Sequence, residues 1–133
     1  MFNIEFLKKT FYQAIKFSIV GVFGVLINYS VFLFALIFFK IHYLISGLLG
    51  YLFAAIPIFF LNRYWTFKSN VSIFKGFPIY VIINLITLSS HSFIQYTSKE
   101  YLGVPEVYSQ ACGIFVSVII SFILVRKLMT SRI

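Results

Sequence analysis

Four long stretches of this chain carry no charged side chain, and they constrain its fold more than any other feature. Residues Phe17 to Phe39, Tyr43 to Asn62, Gly76 to Ser98 and Val107 to Val125 form runs of 23, 20, 23 and 19. The hydrocarbon core of a bilayer takes about 20 apolar residues as helix, so each run is long enough to span it. Lipid offers no water to a peptide group, and a helix satisfies its own backbone. The expectation is an all-α membrane protein of four transmembrane helices, a single domain over residues 1–133. Composition agrees. Only 11% of residues are charged and 61% are hydrophobic, whereas soluble domains carry roughly 25% charged residues. An ordinary soluble enzyme and a disordered chain are both excluded.

The net charge of +8 is read from its placement. Lys8, Lys9 and Lys16 precede the first run. Arg63, Lys68 and Lys75 lie between the second and third, and Arg126, Lys127 and Arg132 follow the fourth. The opposite side holds only Lys40 and Lys99 among bases. Basic residues collect on the cytoplasmic side, so both termini are expected in the cytoplasm, and no nucleic-acid partner is expected. Upstream of the first run, Phe2, Phe6, Leu7, Phe11, Ala14 and Ile15 recur at helical spacing among lysines. That pattern reads either as a short amphipathic helix on the inner leaflet or as a frayed basic tail. The first run is far longer than the roughly 7–15-residue apolar region of a cleaved leader, so it is expected to stay.

A shift of 63 positions lays the second half on the first. Arg63 then meets Arg126, Leu61 meets Leu124, Phe59 meets Phe122, Ile56 meets Ile119 and Gly50 meets Gly113. Both halves start and end on the same side, so the expectation is two hairpins forming a parallel repeat about the membrane normal. Chance similarity between two apolar hairpins is the alternative.

Two groups of residues stand out for chemistry. In the third run Asn84, Thr87, His91 and Gln95 follow one another at spacings of 3, 4 and 4 and share one helical face. Under the same shift, Asn28 of the first run aligns with His91. These side chains lose hydrogen bonds if they face lipid, so they form either a polar path or head-group slot between the first and third spans, or interhelical bonds that hold the helices together. The close of the second run reads Asn62-Arg63-Tyr64-Trp65-Thr66-Phe67-Lys68. One reading is an interfacial aromatic belt with a snorkelling arginine. The other is a lipid-phosphate site in which Arg63 supplies a rigid fork, Trp65 sits at head-group depth, and Lys16, Lys68, Lys75 and Arg126 add charge. Small residues (Gly47, Gly50 and Ala54 in the second run; Gly113, Ser117 and Ser121 in the fourth) read as close helix packing.

No catalytic arrangement can be assembled. Two histidines, one cysteine and three acidic residues give no metal site and no nucleophile with its base, so neither metal, cofactor nor enzyme activity is expected.

Lys16-Phe17-Ser18-Ile19-Val20-Gly21, then Asn28, then Asn62-Arg63-Tyr64-Trp65-Thr66-Phe67-Lys68 resemble the GtrA-like family of small four-span bacterial membrane proteins. The likeness covers roughly residues 14 to 130. In the second half Asn84 stands where glycine is common, Leu128 and Thr130 replace the aromatic close, and Arg126 keeps the basic position. The resemblance implies a bacterial cytoplasmic membrane protein that moves a polyprenyl-phosphate-linked sugar to the outer leaflet for cell-surface polysaccharide or teichoic acid glycosylation. Its implied partners are that lipid, the surrounding membrane lipids and glycosyltransferases, with room for a homodimer. Two other readings stand beside it. One is a non-transporting membrane partner of a glycosyltransferase. The other is a small multidrug-type exporter, against which the absence of an acid inside any run counts.

Overall fold

Each uncharged run lies within, or nearly within, one helix. In the computed structural model, which describes residues 3–133 but not the side chains of residues 43, 44, 106, 107 and 110, α1 spans Ile4–Ile37 and α2 spans Tyr43–Leu61. A single π-helical turn, Asn62–Thr66, continues α2. Helices α3, Ile73–Glu100, and α4, Glu106–Met129, follow. All four are long and apolar enough to cross a membrane, and no strand occurs among the described residues.

The first helix corrects one expectation. There is neither a separate interfacial helix nor a frayed tail before the first span, because α1 runs unbroken for 34 residues from its cap at Asn3. The Asn3 side chain accepts a hydrogen bond from the Glu5 N–H at 3.0 Å, satisfying one of the open donors of the first turn. No proline interrupts the helix, and the hydroxyls of Thr10 and Ser18 donate to the carbonyls of Phe6 and Ala14 without breaking it. Phe2, expected on the interfacial helix, lies outside the described residues. At about 1.5 Å per residue α1 is roughly 50 Å long, some 20 Å more than the hydrocarbon core. It also stops at Ile37, so Phe38 and Phe39, expected inside the span, form the turn.

The chain divides into two compact units, Met1–Ser69 and Asn70–Ile133. Hairpin one pairs α1 with α2 antiparallel. Gly50 lies so close to α1 that a Cβ there would stand 2.6 Å from the Asn28 carbonyl oxygen and 2.7 Å from its Oδ1. Further along, Gly24 faces Ile58. Val20, Ala35, Ala54, Ala55, Ile58 and Phe59 are buried. Hairpin two pairs α3 with α4 around Tyr80, Ile83, Val125, Leu128 and Met129. A Cβ on Gly113 would stand 2.9 Å from both the His91 carbonyl oxygen and its imidazole Cδ2.

Local geometry recurs at a spacing of 63. The Ile41 N–H donates to the Ala35 carbonyl at 3.1 Å, and the Val104 N–H to that of Ser98 at 3.0 Å. Lys40 and Gly103 both take left-handed backbone angles, φ 50° and 66°, a conformation natural to glycine and costly to lysine. Ser46 and Ser109 are both fully buried at the start of α2 and α4. The Gly50–Asn28 contact and the Gly113–His91 contact complete the set.

Candidate functional site

The basic end of hairpin one assembles residues that are far apart in sequence. Lys16 of α1 lays its Nζ 5.2 Å from the centre of the Trp65 ring, within cation–π range. The Arg63 guanidinium carbon sits 4.7 Å from the Tyr64 ring centre, and Tyr64 in turn stacks on Phe60 at 6.1 Å. Phe17 and Phe67 meet at 6.3 Å and tie α1 to the end of α2. Lys68 is exposed and holds φ at 47°. That bend ends the helical run and lets the Ser69 N–H donate back to the Arg63 carbonyl at 2.7 Å. Two cations resting on aromatic faces, with a third at the bend, give this end a concentrated positive potential suited to an anion.

The π-helical turn brings in residues that the sequence reading passed over. Its wide geometry shows in the Phe67 N–H donating to the Asn62 carbonyl, five residues back, at 2.9 Å. Such turns are rare and gather at functional sites. Asn62 is 1% exposed and Thr66 4%. Asn62 Oδ1 and Thr66 Oγ1 have no hydrogen-bond partner, and neither has the buried Tyr51 hydroxyl. Burying such an atom unpaired costs about 1–3 kcal/mol. Gln13 is buried as well, on α1. The four-residue spacing of Asn62 and Thr66, next to the buried Ile58 and Phe59, was the available clue that both face inward.

Hairpin two differs at the corresponding positions. Sixty-three residues on, Gln13, Lys16, Asn62, Trp65 and Thr66 become Gly76, Ile79, Val125, Leu128 and Met129. Only Arg63 keeps its type, as Arg126 in the last turn of α4. Val125 and Met129 are as buried as the polar residues they match, at 0% and 3% exposed. Of the expected phosphate ligands, Lys16, Arg63, Trp65 and Lys68 therefore belong to hairpin one and Arg126 to hairpin two.

The expected polar path divides in the same way. Asn28 lies on α1, half-buried against Gly50. Asn84, Thr87, His91 and Gln95 lie along α3, all half-buried. Asn84 donates its amide N–H to the Tyr80 carbonyl at 2.9 Å, and Thr87 its hydroxyl to that of Ile83 at 2.8 Å. Both therefore satisfy part of their hydrogen bonding on their own helix. Each hairpin also carries an apolar groove. In hairpin one it has a volume of about 700 Å³ beside Phe34, Leu49 and Phe53, and in hairpin two about 620 Å³ beside Ile86, Phe93 and Val116. Among the described residues no three His, Cys, Asp or Glu side chains group as metal ligands do.

Four apolar helices in two hairpins, one with a cationic aromatic end, define a small multi-pass membrane protein. The chain belongs to the family described as GtrA/DPMS, transmembrane domain, whose profile matches residues 16–130. That membership makes it a membrane protein of glycosylation-related, lipid-linked-sugar processes. No curated protein matches it.

Proposed function

We propose that this protein carries a polyprenyl-phosphate-linked sugar from the inner to the outer leaflet of the bacterial cytoplasmic membrane, without catalysing a reaction itself. The observation that carries the reading is the gathering of Lys16, Arg63 and Trp65 at one end of hairpin one, with Lys16 held 5.2 Å from the Trp65 ring centre. A lipid phosphate is an anion at head-group depth, and a guanidinium fork with an ammonium beside it suits that anion. In this proposal both termini are cytoplasmic, which puts the basic end at the inner leaflet. The recurring geometry at a spacing of 63 supports a repeat of two hairpins with similar internal packing. Lys68 and Arg126 add positive charge at the same leaflet. Asn28 in hairpin one and, separately, Asn84, Thr87, His91 and Gln95 in hairpin two offer hydrogen bonds in place of the water that sugar hydroxyls lose on entering the bilayer. The polyprenyl tail stays among the acyl chains. A glycosyltransferase on the inner side supplies the lipid and another consumes its sugar outside.

Leaflet exchange of a polyprenyl-phosphate sugar in vesicles tests this directly. The full chain is expected to accelerate exchange over empty vesicles. Arg63→Ala should slow it about tenfold or more, the size of one lost charge-assisted contact. Folded protein that leaves the exchange rate at the empty-vesicle level overturns the proposal.

A second reading draws on the length of α1, whose first turns expose Phe6, Phe11 and Tyr12. Those side chains suit contact with a glycosyltransferase that the protein anchors rather than serves as a carrier. Tight co-purification with such an enzyme, and no exchange by the protein alone, would favour it.

A further inference from the structure

The unpartnered pair in the π-helical turn has no structural role that its burial alone explains. Hairpin two fills the matching positions with Val125 and Met129 at the same depth. An apolar pair therefore suits this place in a hairpin, and Asn62 and Thr66 leave Oδ1 and Oγ1 without partners there. Polar atoms kept where apolar ones pack equally well point to a ligand that supplies the missing partners. Asn62 Oδ1 can only accept, while Thr66 Oγ1 can donate or accept. The complement is a group with hydroxyls, which do both. The neighbouring cations, Lys16 on Trp65 and Arg63 on Tyr64, add an anion to that description.

We propose that the turn Asn62–Thr66 is the hydroxyl-recognising half of a head-group site, in which Asn62 and Thr66 bond a sugar carried on the phosphate that Lys16 and Arg63 attract. This rests on the phosphate reading of the same end given above, and adds selection of glycosylated lipid over the bare phosphate. Both oxygens are sealed from solvent, so in this proposal a sugar reaches them only by loosening the wide turn. Trp65 lies within that turn and is the chain's one tryptophan, so its fluorescence reports the event.

The test is a fluorescence titration of the full-length protein in lipid nanodiscs. The probes are decaprenyl phosphate and a panel of its glucosyl, galactosyl, mannosyl and N-acetylglucosaminyl esters. At least one ester is expected to bind about tenfold tighter than the bare phosphate, as two added neutral hydrogen bonds allow. The double variant N62V/T66M, which borrows the residues of hairpin two, should keep its affinity for bare phosphate lipid and lose the preference. It should also unfold at the same temperature or higher, since it removes unpaired buried atoms. If the double variant does not fold, Thr66→Val alone should reduce the preference by about threefold. The inference is overturned if no ester exceeds the bare lipid, if neither lipid binds, or if the folded variant keeps the wild-type preference. Leaflet exchange separates the two proposals. A preference without exchange leaves this site standing and removes the transport reading, while exchange without a preference does the reverse.

Discussion

Lys16 and Trp65 stand 49 positions apart, and no local pattern announces that they meet. Arg63 and Lys68 were legible as interfacial cations because they close an uncharged run. The pairing of Lys16 with Trp65 depends on the antiparallel register of α1 on α2, which is tertiary. A cation over an exposed indole contributes about 0.5–1 kcal/mol, too little to hold a hairpin and enough to park an ammonium. Lys16→Met keeps most of the apolar stem and removes the charge. It is expected to shift Trp65 emission, leave thermal unfolding within a degree or two, and weaken binding of a phosphate lipid several-fold. An affinity equal to wild type in a titration at low salt would remove Lys16 from the site. The same titration should weaken as salt rises, since exposed charges are screened beyond about 10 Å at 0.1 M.

At the level of helices, uncharged length and apolar character located all four segments, because in lipid those two properties decide the matter. They did not locate the π-helical turn. A wide turn differs from an α turn by one residue of register, and hydropathy is blind to that. The first helix was misread for a related reason: clustered lysines suggested a boundary, yet backbone continuity is set by caps and breakers, and none falls between Asn3 and Ile37. Close packing gives a sharp test. Gly50→Ala drives a methyl against the Asn28 carbonyl, and Gly113→Ala drives one against His91, while Gly21 has nothing within 4 Å. The first two substitutions should each cost about 1–3 kcal/mol as overpacking. Gly21→Ala should be neutral or slightly stabilising through helix propensity. Thermal unfolding in detergent ranks the three, and equal midpoints would contradict the packing described for each hairpin.

For the molecule as a whole, the 63-residue offset in sequence also pairs local backbone features that it did not single out, such as the left-handed angles at Lys40 and Gly103. What it did not anticipate is how unevenly polar residues are shared. Hairpin one buries Gln13, Asn62 and Thr66 at its basic end and holds Asn28 in mid-helix, whereas hairpin two holds Asn84, Thr87, His91 and Gln95 half-buried along α3. Topology is testable by labelling. In a Cys112→Ser background, single cysteines at Asn70 and Arg132 should resist a membrane-impermeant thiol reagent in intact cells, and cysteines at Phe39 and Leu102 should react. All four positions are exposed and lie outside the four helices, and the reverse pattern would invert the proposed orientation. The unbroken run of α1 has one further consequence. A rod without a hinge conveys torque along its length, so turning the stretch from Phe6 to Tyr12 also turns Lys16 against its indole rest.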